Sequence, residues 1–305
     1  MRLSVSVDLD SVRLYRALYA VSAAEDDNLI YCRAVPRLSD WAKQRGIPLT
    51  WFVVGRDVAD STENSAVVRR LAAGGDELGC HSYSHHYDLT RRSFPEMRRE
   101  VEQGRSAVER AGGVKVTGFR APGYVVTDPL LDLLRESGFA YDSSVFPCPS
   151  YYALKVGALA GMQARGKQSK AIADVPEVLR APTVPYRVGR PYWFRGTGIW
   201  EIPIQVTRRA RLPFIGTALT MAGPMGARVL ARGVLGERFV NLELHGIDAL
   251  DQNDGLEDLA KQQRDLKIPW VRKLEAIDAA VGVLRAKGYR CVRMDELAAA
   301  ARAQS

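Results

Sequence analysis

Strand-like and helix-like stretches take turns along this chain, and that alternation limits its fold more than any other feature. Apolar or alternating runs at residues 3–7, 48–54, 77–80 and 116–119 read as strands. Between and after them, residues 34–44, 65–73, 94–111 and 128–137 carry apolar residues at helical spacing, the last opened by the start signal Thr127-Asp128-Pro129. Strands joined by helices imply a mainly parallel sheet with right-handed crossovers. Such a sheet collects the carboxyl ends of its strands on one rim, where active sites gather. The order blurs from residue 148 to about 195, and residues 199–204 then read as a strand. It returns with a strand at 239–244, a helix at 270–287, a strand at 289–292 and a helix from Asp295. No repeat of fixed period is present.

At the end of the first strand stands Asp8-Leu9-Asp10. Residues two apart on a strand point the same way, so the two carboxylates project together, either to cap the following turn or into the space the rim encloses. His81-Ser82-Tyr83-Ser84-His85 sets two histidines four apart just past a short strand, in a chain with 4 histidines in all. A polar surface loop tolerates such a pair. With a carboxylate they would also form a three-ligand set that leaves positions open for water and substrate, the pattern of a catalytic metal site. Three further segments lie near strand ends: Phe119-Arg120-Ala121-Pro122-Gly123-Tyr124, Tyr141-Asp142-Ser143-Ser144-Val145-Phe146-Pro147 and Leu242-Glu243-Leu244-His245. Taken alone, Arg120 reads equally as a surface arginine and Asp142 as a turn residue.

The order and content of these five segments resemble the polysaccharide deacetylase family, the NodB-homology domain of carbohydrate esterase family 4. The D-x-D form resembles a subset that includes some peptidoglycan deacetylases and the aminoarabinose-lipid deformylases. The resemblance implies an irregular (β/α) barrel, mainly parallel and seven-stranded, over residues 1–305 as one catalytic domain, with residues 148–235 inserted between the fourth and fifth motifs. It implies Asp8 as catalytic base and Asp10, His81 and His85 as ligands of one divalent metal. Zinc suits that donor set, and iron, cobalt or nickel would fit a similar one. It further implies Arg120 as the group that tunes the base, a backbone N–H at Tyr124 for the oxyanion, Asp142 as the carboxylate orienting the acid, and His245 as that acid. The expected activity is removal of an acetyl or formyl group from an amino sugar, in a glycan or a lipid-linked precursor. A cyclic imide or ureide amidase of the same fold, and a silent carbohydrate- or lipid-binding module, are the alternatives.

Charge bears on partners. Residues 151–235 hold thirteen Lys and Arg against three Asp and Glu, a net charge of +10, which leaves −2 for the rest of a +8 chain. A basic segment on a near-neutral body suits an anionic partner. Within it, residues 212–227 carry no charge. They read as a buried helix or lid over the barrel, or as an interfacial patch whose flanking Arg208, Arg209, Arg211 and Arg228 meet phosphates, as a polyprenyl-phosphate-linked sugar would require. Trp193, Phe194 and Trp200 suit a sugar-stacking role or a core role equally. No nucleic-acid-binding motif is present, so that partner is not expected. The four cysteines form no C-x-x-C pair and read as buried thiols in a reducing compartment. Met1-Arg2 runs directly into the first strand, so a cytoplasmic location, or one on the inner face of the membrane, is expected.

Overall fold

The computed structural model describes residues 1–19, 21, 28–164 and 172–304, so Arg165, Lys167 and Lys170 of the basic segment lie outside the described residues. The described residues form nine strands: β1 Arg2–Asp8, β2 Leu49–Val53, β3 Glu77–Cys80, β4 Gly118–Phe119, β5 Tyr141–Asp142, β6 Tyr186–Val188, β7 Arg195–Glu201, β8 Phe239–His245 and β9 Arg290–Cys291. They form one curled sheet in the order β6-β7-β5-β4-β3-β2-β1-β8, with β9 on the base of β1. Every pairing is parallel except β6 with β7. This is the mainly parallel α/β sheet that the alternation implied, curled into a half-barrel as the resemblance implied. Two strands beyond the expected seven have plain origins: β6 is an antiparallel edge within the 148–235 insertion, and β9 pairs with only two residues of β1.

Period two sorts each strand's side chains. In β1, Leu3, Val5 and Val7 join the main apolar core, while Ser4, Ser6 and Asp8 alternate with them and are equally buried. In β8, Val240, Leu242 and Leu244 join that core, and Asn241, Glu243 and His245 alternate with them. The interior is therefore polar and tied by hydrogen bonds. Low in it, Glu77 accepts from Thr50 Oγ1 at 2.8 Å and from the Tyr141 hydroxyl at 2.7 Å. Above, Asn241 donates to Ser143 Oγ at 3.0 Å and to the Pro203 carbonyl at 3.1 Å, which draws the open side of the sheet together. Gly118 has no side chain because Tyr141 fills that space, 2.2 Å from where a Cβ would stand.

The structure departs from the expectations in three places. The blurred stretch after residue 147 contains a helix, Pro149–Ala164, none of whose residues is buried. The charge-free run is buried only in part: Phe214, Ile215, Leu219 and Ala227 are buried, while the helix Gly216–Gly233, broken at Gly223-Pro224, leaves Met221 52% and Met225 81% exposed. None of the four thiols is in a disulfide, and not all are buried, since Cys32 is exposed. No helix among the described residues is long and apolar enough to cross a membrane.

Candidate active site and metal centre

The parallel register places Asp8 beside His245 at the ends of β1 and β8. Asp10 follows one turn later, and the segment after β3 brings in His81 and His85. Asp10 Oδ1 lies 3.2 Å from His81 Nε2 and 3.1 Å from His85 Nε2. Ligands of a tetrahedral ion with bonds of ~2.05 Å stand about 3.3 Å apart, close to what Asp10 shows to each imidazole. His81 Nδ1 lies 2.7 Å from the Arg120 carbonyl, a contact that fixes the tautomer by making Nδ1 the donor and leaving Nε2 a lone pair toward Asp10. Asp10 Oδ1 and both ring nitrogens of His85 are buried without a hydrogen-bond partner. Buried polar groups are nearly always partnered, so this convergence of orphaned donors fits a divalent cation. Burial pushes the Asp10 carboxyl up, but the two imidazoles more than reverse it and hold it well below the carboxylate range.

The backbone around this centre is unusual. Ser82, His85 and Tyr124 all have positive φ, at 60°, 55° and 60°. Non-glycine residues adopt that region at a cost, so the surrounding contacts must hold them there. One is visible: the His85 amide donates to Ser82 Oγ at 3.1 Å.

Arg120 is wholly buried behind Asp8. Its Nη1 donates to Asp8 Oδ1 at 2.6 Å, its Nη2 to Ser6 Oγ at 3.0 Å and Ser143 Oγ at 2.9 Å, and its Nε to the Ser143 carbonyl at 2.7 Å. The guanidinium also lies 4.1 Å over the Phe52 ring. Burial nevertheless raises the Asp8 carboxyl above its ordinary value, and Arg120 offsets only part of that. Asp8 Oδ2, without a hydrogen-bond partner, lies 3.8 Å from His81 Nε2. Replacing Arg120 with Met would strip a buried charge of its partner, so stability is expected to fall by roughly 3–5 kcal/mol. A lower midpoint of urea unfolding at unchanged slope would register that loss.

Two expectations about the acid's surroundings are corrected. Asp142 does not touch His245. The sheet register sets it opposite Glu201 on the next strand, and its Oδ1 accepts from Ser144 Oγ at 2.8 Å. Burial pushes both carboxyls up, Glu201 furthest, with the Asp142 charge raising it further. The carboxylate beside His245 is instead Glu243, with Oε1 2.8 Å from Nδ1. Burial lowers the imidazole, and Glu243 more than reverses this, holding it well above the usual histidine range. Glu243 was within reach of the period-two rule that pairs Asp8 with Asp10, since it precedes His245 by two residues. Tyr124 also differs: its N–H donates to the Ala121 carbonyl at 3.1 Å, and it is the hydroxyl that reaches the site, 3.2 Å from His245 Nε2.

The three aromatics proposed to line the substrate site stand elsewhere. Trp200 packs on the cluster of Phe52, Tyr141 and Met294, Trp193 packs on the main core beside Tyr192, and Phe194 is half exposed. The rings around the centre are Tyr15, whose centroid is 6.5 Å from that of His245, Tyr87, 4.7 Å from His85, and Tyr151, 5.9 Å from Tyr124. None of these belongs to a motif, and only the fold brings them in. Cys80 packs on the apolar core, and burial pushes its thiol up to about 12, as suits a packing role.

Comparison with known proteins adds a family. Residues 26–141 match the family model for polysaccharide deacetylase. Over 83 residues, 27% of this chain, the sequence is 32% identical to a bifunctional xylanase/deacetylase of Pseudobutyrivibrio xylanivorans, but the match spans only 13% of that protein. The fold is similar to the crystal structure of a proposed polysaccharide deacetylase from Mycobacterium smegmatis, at 19% identity and TM-score 0.59 over 99% of this chain and 90% of the other. It is also similar to a family 4 pseudoenzyme from Bacillus anthracis, at 14% identity and TM-score 0.51 over 97% and 65%. A fold found in a pseudoenzyme does not carry activity by itself, so the functional argument rests on the site.

Proposed function

We propose that this chain, a relative of the polysaccharide deacetylases by family match and fold, is a metal-dependent hydrolase that removes an N-acetyl or N-formyl group from an amino sugar. One observation carries the reading: a carboxylate and an imidazole stand side by side, Asp8 and His245, over a buried set of metal donors. Asp10, His81 and His85 would hold the ion. Bound there, a divalent ion lowers the pKa of water from 15.7 toward roughly 7 and polarises the acyl oxygen.

The chain's own residues divide the proton traffic. Asp8 keeps Oδ1 on Arg120 and takes the proton of the attacking water on Oδ2. A C–O bond forms at the acyl carbon. As the C–N bond breaks, His245 Nε2 gives its proton to the departing nitrogen, and Glu243 stabilises the imidazolium until then. With its N–H engaged, Tyr124 offers its hydroxyl as the protein's donor to the oxyanion. Asp142 and Glu201 stand behind this chemistry, bracing the Ser143-Ser144 turn on which Arg120 rests. The amino sugar is read as part of a glycan or of a lipid-linked glycan precursor, and cysteines without a disulfide fit the reducing, cytoplasmic side of a membrane.

The test is amine release from N-acetyl and N-formyl amino sugars by purified protein of measured metal content. Turnover should track that content, fall at least about a hundredfold after chelation, and return with added zinc. Metal-loaded protein that cleaves only cyclic imides would move the reading to a small-molecule amidase. No turnover on any amide would defeat it.

A further inference from the structure

We infer that the helices Pro149–Ala164 and Gly216–Gly233, with the turn 208–212 between them in sequence, form a surface that seats the protein on an anionic lipid bilayer, catalytic rim toward the lipid. The inference deepens the lipid-linked substrate proposed above and rests on that reading only for the identity of the substrate.

Three observations carry it. The first is exposure without compensation. On the helix Pro149–Ala164, the exposed residues from 153 to 160 are Ala153, Leu154, Val156, Gly157, Ala158 and Ala160, with Leu154 75% exposed. The one charge in that helix, Lys155, turns inward and donates to the Gly123 carbonyl at 2.6 Å. Burial lowers its ammonium to about 8, as expected of a cation drawn into the site wall. The second helix exposes Met221 and Met225 at its break, and Leu212 is exposed on the turn before it. An apolar surface of this extent marks a place where something docks.

The second observation is position. Both helices start from one apolar cluster that contains Tyr124, Phe146, Cys148 and Ile215, with Tyr151 and Ala218 packed on it. Tyr124 touches His245, and Thr217 Oγ1 lies 3.5 Å from Asp248, which accepts from the His245 amide. The surface therefore begins at the mouth of the site. The Arg211 carbonyl lies 3.3 Å from Cys148 Sγ, so the basic turn joins the same face.

The third is charge. Residues 149–164 and 208–233 contain no Asp or Glu, while Arg209, Arg211, Arg228 and Arg232 fall in the second stretch beside Arg208, whose charge Glu237 partly offsets at 3.2 Å. A second copy of the chain would set this cationic face against itself. Anionic headgroups complement it, and apolar residues flanked by arginines are the composition of a helix that lies in an interface. No described helix is long and apolar enough to span, so the contact is peripheral.

Flotation of the full chain with vesicles tests this. Wild type should float with phosphatidylcholine–phosphatidylglycerol vesicles at low salt, float poorly with phosphatidylcholine alone, and be released by high salt. The pairs Leu154→Glu with Val156→Glu, and Met221→Glu with Met225→Glu, should each weaken partitioning about tenfold or more. Both should melt within a few degrees of wild type and cleave a soluble amino-sugar substrate normally. Wild type that stays unbound at low salt, or double variants that float as wild type does, would overturn the inference. So would a wild-type dimer by light scattering that the Glu pairs dissociate, since it would assign the surface to a second copy. Flotation needs no turnover: loss of the hydrolase reading leaves it interpretable, and failure to float leaves amide hydrolysis standing.

Discussion

Replacing His81 with alanine is expected to remove bound metal and to lower turnover by about a thousandfold or more. The size of the effect follows from how little redundancy the centre has. Three buried donors lie within 4.8 Å of one another, and His81 is the one whose orientation is fixed from behind, by the Arg120 carbonyl. Its loss leaves Asp10 and His85, two donors that cannot close around an ion. Elemental analysis of purified protein and amine release under one set of conditions would measure both quantities. The comparison that gives the result its meaning is His245→Ala, which should keep the metal and lose the turnover. If the His81 variant kept its metal and its rate, the ion would have to be bound elsewhere.

The second large effect belongs to Glu243. Changing it to Gln removes the negative charge 2.8 Å from His245 Nδ1 with little change in shape. Turnover should fall by roughly 10²–10⁴, the range associated with a positioned general acid. The pH profile should move as well. Burial depresses the His245 imidazole, and Glu243 more than restores it, so the charged acid survives to high pH in the wild type. Without that charge His245 loses its proton sooner, and the alkaline limb should shift to lower pH. Asp142→Asn is the contrast. An amide keeps the shape of the buried Asp142 carboxyl and can still accept from Ser144 Oγ, so turnover should stay within about threefold and the alkaline limb should not move. A large alkaline shift in the Asn variant, with none in the Gln variant, would return the orienting role to Asp142.

The sequence was legible where one physical rule acted locally. The alternation in Leu3-Ser4-Val5-Ser6-Val7-Asp8 sets a strand with one face in the core and Asp8 on the other. The four-residue spacing of His81 and His85 lets one carboxylate lie between them. The rule failed by omission at Glu243, where it was available and unused. It could not act for Asp142, whose neighbour Glu201 is 59 positions away and is set by sheet register alone. The helix Pro149–Ala164 was invisible for a different reason. Periodicity reports a buried face beside an exposed one, and this helix buries no residue. Trp193, Phe194 and Trp200 show the limit for aromatics: residue type tells that a ring wants cover, not which side of the sheet supplies it.

The pairing of β1 has a consequence for how the chain is made. The strand of residues 2–8 is flanked by β2 on one side and on the other by β8, and at its base by β9, which begins at Arg290. During synthesis β1 must wait for β8 and β9 before its ladder is complete. Asp8 therefore meets His245 only after more than two hundred intervening residues have been added, a long-range closure of the kind that slows folding. A nascent chain halted before β8 would carry every metal donor and no acid, so ion binding and catalysis would be acquired in that order.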